Sequence, residues 1–84
     1  MDRDPQLVLL GKNIRRLRLK ARYSQEGFAA EVKMDRSYYG RVERGERSVS
    51  SLKLIRIAEI LGKEVGTLFP KMEELIGKKK GPHK

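Results

Sequence analysis

The amino-acid sequence predicts an all-α fold, a compact bundle of five helices, on three observations. Apolar residues recur at helical spacing through most of the chain, and nowhere do they show the period-two alternation of a half-buried strand. Side chains that cap helix N-termini precede three of the periodic segments, at Ser24, Asp35 and Ser50. Eighty-four residues give room for one domain with a modest core and too little for two.

The first helix is expected over 7–20, LVLLGKNIRRLRLK. Leu10, Ile14 and Leu17 fall there at i, i+4 and i+7, while Lys12, Arg15, Arg16, Arg18 and Lys20 mostly point elsewhere. Ser24 caps a short second helix from Gln25 to Val32, carried by Phe28 and Val32 and weakened slightly by Gly27. Lys33 and Met34 then break the period. Asp35 caps a third helix in RSYYGRVERG, with Tyr39 and Val42 three apart and Gly45 closing it. A polar loop, ERSVS, leads to Ser50 and a fourth helix, SLKLIRIAEIL, whose inward stripe is Leu52, Ile55, Ala58 and Leu61 and whose end is Gly62. EVGTLF supplies Val65, Leu68 and Phe69 for a short fifth helix, after which Pro70 either breaks the chain or starts a new turn through KMEELIG. Residues 1–77 therefore form the domain, and the basic tail 78–84, with two breakers and nothing apolar to bury, is expected to be disordered.

Composition narrows the function. Twenty Lys and Arg against 11 Asp and Glu give +9, a charge density that calls for a polyanionic partner, nucleic acid first. An anionic membrane surface fits less well, because no Trp or Phe stripe is available to enter the headgroups. Without cysteine there is neither a disulfide framework nor a thiolate zinc site, and no metal or other cofactor is expected. MDRDPQ does not read as a secretory signal and no stretch approaches a membrane span, so a cytoplasmic protein is expected. Enzymatic readings fail on the chemistry. The one His, His83, sits in the tail, and Ser24, Ser37, Ser48, Ser50 and Ser51 have no base to activate them.

The residues between Gln25 and Arg44 are the restrictive ones. If the third helix crosses close over the second, the contact point needs a small residue, Ala29, and Phe28, Val32, Met34, Tyr39 and Val42 fill the angle. That leaves Arg36, Ser37, Arg41 and Arg44 on a free face, with Tyr38 and Gly40 alongside. Such a face suits a DNA groove: Arg bonds guanine O6 and N7 together, Ser donates or accepts, and Gly40 permits close approach.

The run SQEGFAAEVKMDRSYYGRVERGERSVSSL resembles the helix-turn-helix domain of the Cro and phage-repressor (Xre-type) regulators, a lambda-repressor-like DNA-binding fold. Within that family it looks most like the controller proteins of restriction-modification systems, over about residues 10 to 69. The resemblance implies that Ser24, Gln25 and Arg44 bond phosphates and that Arg36, Ser37, Tyr38 and Arg41 face base edges. It also implies an ion pair between Arg18 and Glu43, locking the first helix to the third. Arg47, in the following loop, is a further phosphate candidate. Lys33 departs from the family, which usually has Gly in the turn. The left-handed conformation expected there costs a Lys roughly 1 kcal/mol.

A module of this size buries too little for tight specific binding alone, so a homodimer on a palindromic operator of double-stranded DNA is expected, with RNA polymerase a conceivable further partner. Leu68, Phe69, Met72, Leu75 and Ile76 exceed what one small core needs and are assigned to the dimer interface. A phage or plasmid repressor fits the same residues. An antitoxin would want a long extra segment for its toxin, and an RNA-binding module would want aromatics on a sheet or a clamp loop.

Overall fold

A computed structural model describes residues 3–76. It consists of α1 (Pro5–Lys20), α2 (Gln25–Val32), α3 (Arg36–Glu43), α4 (Ser51–Leu61), one 3-10 turn (Val65–Leu68) and α5 (Met72–Ile76), with no strand among the described residues. The tail expected to be disordered lies outside the described residues.

Each of the helices α1 to α4 begins where a side chain replaces the missing backbone acceptor. Asp4 accepts from the Gln6 N–H at 2.8 Å, ahead of Pro5 in the first turn. Ser24, Asp35 and Ser50 accept from the N–H groups of Gly27, Tyr38 and Lys53. Gly62 ends α4 in the left-handed conformation, and Lys33 ends α2 the same way, with φ 63 and ψ 47. The strained lysine in the turn is thus real. Lys53 Nζ donates to the Lys33 carbonyl at 3.0 Å, tying the turn to α4. A second left-handed non-glycine, Arg22 (φ 66), closes α1 and was not foreseen in the sequence.

The core forms around Ile14, Phe28, Val32, Tyr39, Ile57 and Leu68, all fully buried. Phe28 meets Tyr23 and Tyr39 edge-on, with ring centroids 5.1 and 5.6 Å apart. Ala29 is buried with them, as the close crossing of α2 and α3 requires. α1 lies on α3 through Gly11. A Cβ there would collide with the backbone carbonyls of Val42 and Glu43, so no larger residue fits without moving a helix.

Three expectations need correction. The inward face of α4 is Ile57 and Ala58, flanked by half-buried Leu54 and Leu61, whereas Leu52 and Ile55 are 55% and 45% exposed. The every-third-residue count from Leu52 starts on the wrong phase: Leu54, Ile57, Ala58 and Leu61 also share a face, and α4 meets α2 and the 3-10 turn. Second, EVGTLF forms only the 3-10 turn, and the fifth α-helix follows Pro70, at Met72–Ile76. Third, Leu68 is fully buried and cannot lie in an interface between copies. Asn13 fixes it there, donating to the carbonyls of Thr67 and Leu68 at 3.0 and 2.7 Å. Phe69, Met72 and Ile76 stay exposed and Leu75 is half-buried.

Candidate nucleic-acid interface

The inner face of α3 is locked before the outer face can be used. Glu43 and Arg18 are both buried, and Arg18 grips the carboxylate through Nε and Nη2 at 2.6 and 3.1 Å. Gln25 Nε2 donates to the same carboxylate at 3.1 Å, and the Tyr39 hydroxyl donates to it as well. Arg18 also donates to the Tyr23 carbonyl, which leaves no buried side-chain polar atom without a partner among the described residues. Burial alone would push the Glu43 carboxyl up, but the hydrogen bonds from Arg18, Tyr39 and Gln25 outweigh it and hold the group below its usual range. Burial, with its bond to Glu43, drives the Tyr39 hydroxyl far above its ordinary value, so it stays protonated and donating. The Arg18 and Glu43 pair that the family resemblance implies is therefore formed, joins α1 to α3 and is buried.

The outer face carries the opposite character. Arg36, Ser37, Arg41 and Arg44 are exposed, and with Gln25 and Gly40 they line one concave surface. Arg41, Arg44, Glu46 and Arg47 line the next one along. Arg36 and Arg41 are five residues apart, which is about 140 degrees around an ideal helix, so they flank the surface from two sides. Gly40 is not the open floor that close approach suggests. A Cβ there would meet Arg44 Nη1 at 3.3 Å and Gln25 Oε1 at 3.4 Å, so both side chains already lie across it.

The remaining sequence-derived residues sort by location. Ser24 is exposed at the start of α2, but its hydroxyl oxygen is engaged as the cap. Gln25 is half-buried, with its amide N–H committed to Glu43. Tyr38 is 37% exposed and its hydroxyl donates to the Ser48 carbonyl, pinning the loop after α3 to the helix. Arg47 is exposed in that loop. Sequence reasoning missed Glu46, which receives Arg44 Nε at 3.1 Å and lies 3.6 Å from Arg3. Its only sequence signal is a lone acid in an arginine-rich loop. A separate cationic surface, Lys12, Arg15, Arg16 and Lys20 around Leu19, occupies α1 on the side away from its buried residues.

Among the described residues no helix is long and apolar enough to cross a membrane. A family model described as "Helix-turn-helix" matches residues 14–68. The chain is 38% identical over 68 residues to the control protein C.MunI of a Mycoplasma species, covering 80% of this chain and 92% of that one. It is 39% identical over 56 residues to the control protein C.BamHI of Bacillus amyloliquefaciens, covering 66% of this chain and 69% of that one. In structure it is similar to the restriction-modification controller protein C.AhdI from Aeromonas hydrophila, with a TM-score of 0.72, 43% identity, and 75% of this chain and 96% of that chain covered.

Proposed function

The chain belongs to the helix-turn-helix family, as a DNA-binding regulator related to restriction-modification controller proteins, and we propose that it works as a homodimer on a palindromic operator controlling restriction-modification genes. The observation that carries this reading is the division of α3 into a sealed inner face and a cationic outer face. Arg36, Ser37 and Arg41 would meet base edges, with Tyr38 beside them, where two-pronged arginine contacts select guanine. Ser24, Gln25, Arg44 and Arg47 would hold phosphates and set the register. In this reading the protein acts in the cytoplasm, with RNA polymerase as a further partner beside a promoter.

Dimerisation would use Phe69, Met72, Leu75 and Ile76. Phe69, Met72 and Ile76 are 42%, 65% and 40% exposed, large apolar side chains that a second copy would cover. Sedimentation at micromolar concentration tests this: the intact chain should be a dimer, and replacing Met72, Leu75 and Ile76 by polar residues should give a folded monomer. A monomeric intact chain, or an unchanged dimer in the variant, contradicts it. Selection from randomised duplexes tests the operator, with a two-fold symmetric site expected; a single asymmetric half-site would exclude the palindrome.

A further inference from the structure

Glu46 stands in an unfavourable place. The N–H of Glu46 bonds the Arg41 carbonyl at 2.9 Å and that of Gly45 bonds Val42 at 3.0 Å, which closes α3 and fixes Glu46 beside its C-terminus. A carboxylate there faces the negative end of the helix dipole, and Glu46 contributes nothing to the core. What offsets the cost is cationic. Arg44 donates to it through Nε and Nη2 at 3.1 and 3.4 Å, and Arg3 lies 3.6 Å away. The Arg44 bond also holds the Glu46 carboxyl below its usual range. Arginine grips carboxylate and phosphate in the same two-pronged way, so Glu46 occupies the geometry a DNA phosphate would take.

We propose that Glu46 is an internal counter-ion that occupies Arg44 and Arg3 in the free protein and suppresses binding to non-operator DNA more than binding to operator. This rests on the reading that the outer face of α3 meets duplex DNA. Arg44 Nη1 is the part of the guanidinium that Glu46 does not hold, and it lies over Gly40 beside Gln25. In a seated complex Nη1 can donate to a phosphate while Nε and Nη2 remain on Glu46, so operator binding keeps the clamp. Loosely held DNA has no such register and depends almost wholly on free cations meeting phosphates. For that DNA, Arg44 and Arg3 are already neutralised.

The experiment measures binding of the full chain to its selected operator and to a scrambled duplex across a salt series, for wild type, Glu46→Gln and Glu59→Gln. Glu59 is exposed on α4 and makes the charge-matched control. Glu46→Gln should tighten scrambled-duplex binding roughly two- to five-fold beyond the control, the range expected for releasing an exposed pair. Its salt dependence should steepen, its operator affinity should change less, and the ratio of the two should fall. Scrambled-duplex binding equal to that of Glu59→Gln, or operator binding that tightens by the same factor, overturns the proposal while the DNA-binding reading stands. Wild-type protein that binds neither duplex overturns that reading itself.

Discussion

Two arginine–glutamate pairs meet at the C-terminal end of α3, one joining it to α1 and one in the residues just past it, and they differ in almost everything but chemistry. Arg18 and Glu43 have side chains 6% and 2% exposed, and the carboxylate collects further bonds from Gln25 and Tyr39. Arg44 and Glu46 have side chains 53% and 26% exposed, with Arg3 as their only ion-pair neighbour among the described residues. The buried pair cannot lose a member without stranding a charge, whereas water and salt can take over either member of the exposed pair. One pair fixes where α3 sits. The other, in the proposal above, limits what α3 can still bind.

The largest effect is expected at Glu43. Glu43→Gln leaves Arg18 buried beside a neutral amide and should cost on the order of 3 kcal/mol, lowering Tm by roughly 10 to 20 °C for a domain of this size. An unchanged Tm would place the pair in the same class as Arg44 and Glu46. The same carboxylate predicts an acid dependence. Its folded pKa lies below the ordinary 4.5, so its contribution is fully present above that pH and is lost as the pH falls through the lower folded value. Thermal melts between pH 7 and pH 3 should show that loss in wild type, and a much flatter profile below pH 4.5 in Glu43→Gln. A smaller effect is expected at Lys33, which holds φ 63. Lys33→Gly should raise stability by about 1 kcal/mol, measured by urea unfolding, because glycine takes the left-handed conformation without strain. A destabilised glycine variant would contradict strain at this position, because the carbonyl that Lys53 bonds is backbone and survives the change.

Legibility in the sequence followed how local the deciding physics was. The caps at Ser24, Asp35 and Ser50 and the core of α2 and α3 could be read, because caps and i, i+3, i+4 spacing act within one turn. The left-handed Lys33 followed from comparing one residue with a family habit. The phase of α4 was misread because Leu52, Leu54, Ile55, Ile57, Ala58 and Leu61 offer two overlapping stripes, and only contact with α2 and the 3-10 turn decides between them. Leu68 was misassigned for a related reason: its burial depends on Asn13, more than fifty residues away, holding the 3-10 turn against α1. The site was legible by residue type and less so by state. Nothing in the spacing showed that Gln25 serves Glu43, that Tyr38 pins the following loop, or that Glu46 occupies Arg44.

In the proposed function the outer face of α3 reads sequence while its rim holds the backbone. The most direct test is selection from randomised duplexes with Arg36→Ala, Arg41→Ala and Arg44→Ala, together with the salt dependence of each. Arg36→Ala and Arg41→Ala should each relax preference at distinct base positions, with roughly 1 to 3 kcal/mol of discrimination lost at each. Arg44→Ala should select the same site as wild type, weaken the operator and its single-base variants alike and reduce the salt slope of operator binding by about one. If the Arg36 and Arg41 variants bind more weakly yet select an unchanged site, α3 is not the reader, even for a protein that still binds DNA.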